Sequence, residues 1–154
     1  KGEIAIFNRS HYEDVLVVRV HKWITPEECK RRYEQINSFE KMLADTGTII
    51  IKCFLYISKE EQKARLEERL ADPDKQWKFN LGDLEERKLW PEYMRAYESA
   101  LSATSTDYAP WYVIPADSNT NRNILVSSIL VQTLQAQKMR YPKPKENLEG
   151  VVVE

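Results

Sequence analysis

An α/β layered fold with a parallel sheet is what this sequence predicts, on three observations. Short apolar or β-branched runs at residues 4–7, 48–57 and 111–116 alternate with longer stretches carrying apolar residues at helical spacing. The first run, Ile4-Ala5-Ile6-Phe7, has the length and composition of a strand covered on both faces. Polar clusters at residues 8–12 and 117–121 follow two of the runs, at the strand end where ligands bind in open α/β sheets.

The chain of 154 residues is sized for one domain with a real core. With 23 basic against 24 acidic residues it has no global field to recruit nucleic acid or an anionic membrane, so any polyanion must be held by a local basic cluster. Its two cysteines, Cys29 and Cys53, have neither CxxC spacing nor a nearby histidine, which argues for reduced thiols in a cytoplasmic protein. No apolar span is long enough to suggest a membrane helix. Lys1 rather than Met at the start suggests an incomplete chain.

In chain order, the run at 4–7 stops at Asn8-Arg9-Ser10-His11-Tyr12. Asn and Ser there serve either a ligand at the strand tip or the cap of a helix over 13–20. Thr25-Pro26-Glu27-Glu28 is a helix start, with a capping hydroxyl, proline in the first turn and acids at the positive dipole end. Tyr33, Ile36, Phe39, Met42 and Leu43 give the helix over 23–42 its apolar face, and Asp45-Thr46-Gly47 ends it. Residues 48–57, TIIIKCFLYI, read as the second buried strand. Ser58 then caps a helix over 60–70.

Arg65 and Arg69 lie four residues apart on that helix, hence on one face one turn apart. Two guanidinium forks so placed grip a phosphate or, with Glu61, Glu67 and Glu68 nearby, lace a solvated helix with ion pairs. Asp72-Pro73-Asp74 breaks the helix. Lys75 and Lys78 follow in a basic loop where Trp77 and Phe79 are expected to act as anchors. A helical stretch over 84–99 is interrupted at Trp90-Pro91, where the proline starts a new helix. The third strand, 111–116, ends in the polar loop at Asp117, and the last helix, 122–139, is expected to bury Ile124, Leu125, Ser128, Ile129, Leu130, Val131 and Leu134. The tail, 143–154, is expected to be extended or loose.

Three blocks carry a resemblance. FNRSHYEDVLVVRV is similar to the second-strand (Walker B) motif of the family 2 polyphosphate kinases, residues 60–93 to that family's lid, and DYAPWYVIPAD to its last strand. The blocks stand in the family's order and cover nearly all of residues 2–142. The resemblance implies a three-layer α/β/α sheet of the P-loop kinase type with a helical lid at about 60–95, all within one domain over 1–142. It departs from the family pattern in two respects: Asn8 stands where many members have Asp, and no phosphate-cradling glycine loop is present. The family's loop-bearing strand would lie between those at 4–7 and 48–57, and a sheet without it exposes two long edges. The expectation is therefore a chain lacking its N-terminal strand and P-loop, longer at that end in the cell.

The resemblance further implies Mg²⁺-dependent phosphoryl transfer between inorganic polyphosphate and a nucleoside mono- or diphosphate, by a homo-oligomer. Such chemistry depends on positioning and charge neutralisation more than on a protein nucleophile. On this basis Arg9, Arg65 and Arg69 are candidate catalytic residues. Asn8, Tyr12, Arg19, Lys75, Lys78 and Asp117 are candidates for binding polyphosphate or nucleotide. No metal ligand is assigned, because an amide at position 8 lacks the charge Asp offers Mg²⁺. An inactive polyphosphate-binding or oligomerisation module and an ATP-dependent nucleotide kinase remain the alternatives.

Overall fold

A computed structural model describes residues 2–143, 145–146 and 149–150. Most of the expected tail, including Val151, Val152 and Val153, lies outside the described residues.

A short 3₁₀ turn, His11–Val15, leads into helix α1 (Val17–Val20) and then α2 (Pro26–Asp45). Strand β1 (Lys52–Tyr56), helices α3 (Lys59–Ala71), α4 (Gly82–Lys88) and α5 (Trp90–Thr104), strand β2 (Trp111–Pro115) and helix α6 (Asn119–Ala136) follow. The strands pair in parallel, with Lys52 opposite Trp111 and Tyr56 opposite Pro115. Two of the three expected strands thus form a parallel sheet, its long crossover made by α3, α4 and α5.

Local chemistry sets the helix ends. Thr25 Oγ1 accepts from the Glu28 N–H at 3.1 Å, with Pro26 in the first turn. At the other end Gly47 takes φ 89°, and the Gly47 and Thr48 amides return to the Ala44 and Leu43 carbonyls at 2.8 and 3.0 Å, a Schellman closure. Ser58 and Ser118 cap α3 and α6 in the same way as Thr25, accepting from the Glu61 and Asn121 amides. Leu89 separates α4 from α5, and Pro91 falls in the first turn of α5, as expected.

Tyr12, Val15, Leu16, Val20, Cys29, Ile36, Ala96 and Ala100 form the core, between the N-terminal turn, α1, α2 and α5. Both cysteines are free thiols.

Four expectations need correction. Residues 4–7 form no strand, and Ile4, Ile6 and Phe7 are 67%, 89% and 80% exposed. Apolar composition supplies strand propensity, but a strand also needs a neighbour to bond its backbone, and among the described residues none pairs with this segment. The helix over 13–20 is split at Leu16, whose φ of −110° and ψ of −80° leave the helical region. Phe39 and Met42 are exposed on α2, whereas Glu40 is buried in their place. Finally, α6 has no buried residue, and Ile124, Leu125, Leu130 and Val131 are all exposed.

A cationic cleft at the carboxyl end of the sheet

At the carboxyl ends of β1 and β2 the chain is tied down by short bonds. The Ala116 N–H donates to the Tyr56 carbonyl at 2.8 Å, and the Ser58 N–H donates to Asp117 Oδ1 at 2.7 Å. The polar tips that converge are therefore those of β1 and β2, because the run at 4–7 makes no strand. Asp117 acts here as a carboxylate cap that joins the start of α3 to the end of β2.

Arg65 reaches across from α3. Its Nε donates to Glu61 at 2.7 Å, while one terminal nitrogen donates to the Ala116 carbonyl at 2.8 Å, the Asp117 carbonyl at 3.2 Å and Asn119 Oδ1 at 3.4 Å. Asn119 Oδ1 also accepts from Arg122 at 2.9 Å. Arg69, one turn on, lines the same cleft with no hydrogen-bond or ion-pair partner among the described residues. The cleft, about 260 Å³, is walled by Glu61, Arg65, Glu68, Arg69, Lys75 and Asn119. Lys75 bridges Glu68 at 2.8 Å and Asp72 at 3.1 Å. The hydrogen bond to Glu68 holds the Lys75 ammonium above its ordinary range, and Lys75 in turn holds both carboxyls below theirs. Three of the expected cations, Arg65, Arg69 and Lys75, thus line one cleft, together with the carboxylates of Glu61 and Glu68. Arg65 makes the intrahelical pair with Glu61 and directs its terminal nitrogen to the chain's own carbonyls at the end of β2.

The other candidates lie elsewhere. Arg9, on an exposed segment, pairs with Glu13 at 2.5 and 2.6 Å and takes φ 73°. Asn8 is exposed beside it. Tyr12 is 4% exposed, and its hydroxyl is engaged in the core with Glu40 at 2.9 Å and Lys52 at 2.9 Å. Arg19 is half-buried and donates to the Tyr33 hydroxyl at 2.9 Å. Lys78 stands 4.9 Å over the Trp77 ring. Trp77 is 77% exposed and so is not a loop anchor, because nothing hydrophobic covers it. A second, larger cleft of about 390 Å³ opens beside the N-terminal turn, between His11, Asp14, Arg32, Gln35, Ile36 and Phe39.

Sequence reasoning missed Lys52 and Glu40, a pair buried at 2.6 Å. The signal was a lysine inside an otherwise apolar strand, which implies a buried counter-charge.

The family model of Polyphosphate kinase 2 (PPK2) matches residues 1–142. The chain belongs to the PPK2 family. It is 58% identical, over all of its length and 58% of the relative's, to the AMP/ADP-polyphosphate phosphotransferase of Meiothermus ruber. To the ADP-polyphosphate phosphotransferase of Rhodopseudomonas palustris it is 43% identical, over 93% of the chain and 54% of the relative. The crystal structure of Polyphosphate Kinase 2 from Arthrobacter aurescens TC1 superposes with a TM-score of 0.89 at 47% identity, covering 90% of this chain and 49% of that one. The chain thus spans little more than half the length of the PPK2 relatives it matches. Among its described residues no helix is long and apolar enough to cross a membrane.

Proposed function

We propose that this PPK2 chain contributes the lid and the carboxyl-end face of a phosphotransferase that moves a phosphoryl group between inorganic polyphosphate and a nucleoside mono- or diphosphate. The observation that carries it is Arg69, a guanidinium without a partner among the described residues in a cleft it shares with Arg65 and Lys75, at the sheet end where ligands bind. An uncommitted planar fork fixed on a helix is pre-organised for phosphate oxygens, and phosphoryl transfer is accelerated mainly by such positioned cations. Identity to AMP/ADP- and ADP-polyphosphate phosphotransferases along nearly the whole chain supports the choice of substrates.

In this proposal Arg69 and Arg65 meet the transferring group, Lys75 and Lys78 hold the polymer, and Asn8 and Arg9 face the phosphate path. Residues 60–95 act as the lid, in a sheet of the P-loop kinase type that takes up the apolar run at 4–7. The exposure of Ile4, Ile6 and Phe7 supports that sheet, since large apolar side chains gathered in one short segment call for cover. Mg²⁺ would enter with the phosphate chains, as this ion commonly does. Among the described residues no three His, Cys, Asp or Glu side chains come together as its ligands.

The test is incubation of the protein with polyphosphate, Mg²⁺ and either AMP or ADP, with the nucleotide products resolved by chromatography. Conversion with polyphosphate but not with ATP as donor is the expected result, and conversion with ATP alone would overturn the proposal.

A further inference from the structure

The most deeply buried charges among the described residues lie outside the cationic cleft. Lys52 and Glu40 are 7% and 2% exposed. The three ammonium protons of Lys52 have three acceptors: Glu40 Oε2 at 2.6 Å, the Thr104 carbonyl at 2.8 Å and the Tyr12 hydroxyl at 2.9 Å. The Tyr12 hydroxyl donates in turn to Glu40 Oε1 at 2.9 Å, and the same oxygen lies 3.7 Å from His11 Nε2. Trp111 presents its ring to the ammonium at 5.2 Å, and its indole N–H donates to Thr104 Oγ1 at 2.9 Å. One ammonium therefore links the N-terminal turn, α2, β1, the end of α5 and the start of β2.

Such a pair is a poor source of stability, because desolvating both ions largely cancels their attraction and an apolar pair of similar volume does as well or better. What it supplies is direction. Three donors aimed at three acceptors allow only one placement of Tyr12, and Glu40 also faces the neighbouring His11. Three residues before Tyr12, Arg9 has a left-handed backbone, a conformation that persists in a non-glycine residue when the structure around it is well fixed. Ser10, between them, accepts from the Tyr12 amide at 3.3 Å.

We propose that Lys52 and Glu40 are positioning residues that act through Tyr12 and His11 to hold residues 8–10 in one place relative to the sheet. Their consequence for turnover rests on the phosphotransferase reading above, whereas the placement of the loop does not.

The test uses the whole chain, a double variant Lys52→Met with Glu40→Leu, and Tyr12→Phe, which keeps the ring and removes only the hydroxyl. Amide hydrogen exchange is read by mass spectrometry over residues 8–14 and over α5. In the double variant, exchange over 8–14 should rise about tenfold, the scale of one lost charged hydrogen bond in a local opening equilibrium, while α5 keeps its protection. Tyr12→Phe should move the same segment in the same direction. In the transfer assay the double variant should lose about tenfold in turnover, with the Michaelis constant for polyphosphate within about threefold of the parent. Unchanged exchange over 8–14 in a folded double variant overturns the proposal. If that variant does not fold, unchanged exchange in Tyr12→Phe overturns it instead. Faster exchange over 8–14 in the variants, with no transfer by the parent chain, supports the positioning role and counts against the proposed function alone.

Discussion

Arg65 and Arg69 look equivalent along the helix, yet their surroundings make them separable by a stability measurement. Arg65→Ala removes a charged donor from the carbonyl of Ala116, itself 1% exposed, along with longer contacts to Asp117 and Asn119. A hydrogen bond from a charged group is worth about 1.5–3 kcal/mol, and the half-exposed i, i+4 pair with Glu61 adds only about 0.3–0.5 kcal/mol. Taken together these give a loss of roughly 2–3.5 kcal/mol, or a melting temperature lower by about 4–14 °C for a domain of this size. Arg69→Ala removes no partner among the described residues and should stay within about 0.5 kcal/mol of the parent. Thermal unfolding followed by circular dichroism reads both variants under one condition. Turnover should fall in both variants, and Arg69→Ala should lose roughly a thousandfold in rate while keeping its fold, the scale of a cation acting in the transition state. Equal melting shifts for the two variants would refute the assignment of Arg65 as the brace and Arg69 as the free fork.

Three further outcomes are expected. Lys75→Ala should raise the Michaelis constant for polyphosphate and flatten its salt dependence with turnover nearly kept, as steady-state kinetics at several salt concentrations will show. Asp117→Asn keeps an acceptor for the Ser58 amide and should be nearly neutral, whereas Asp117→Ala should cost about 1 kcal/mol in urea unfolding, on the scale of a lost helix cap. Glu86 is held below the ordinary carboxyl range, first by the Tyr93 hydroxyl at 2.6 Å and then by His21 at 3.0 Å, so its contribution is present above the usual carboxylate pKa and lost as pH falls through the lowered one. Glu86→Gln should therefore be less stable than the parent at about pH 6, and the two should converge near about pH 3 when urea midpoints are compared across pH.

Every boundary that the sequence set well depends on chemistry within about four residues. The Thr25 hydroxyl finds the Glu28 amide, Ser58 finds Glu61, and Gly47 closes α2, all whatever the rest of the chain does. The cores of two strands, 52–56 and 111–115, and their parallel order were legible for a related reason, since helical segments between β-rich runs leave little choice of connection. The spacing of Arg65 and Arg69 likewise placed both guanidiniums on one face of one helix before any contact was known.

Only the tertiary structure decided what those elements meet. Residues 4–7 have a strand's composition and no strand, because backbone pairing needs a partner that composition cannot supply. Glu40 occupies the buried face of α2, where Phe39 and Met42 were expected, because its counter-charge Lys52 lies on a different element twelve residues on. The two arginines diverge because the Ala116 carbonyl, 51 residues from Arg65 in sequence, comes within reach of one fork and not the other. Burial and pairing of charge are properties of distant neighbours, and a local pattern contains no information about them.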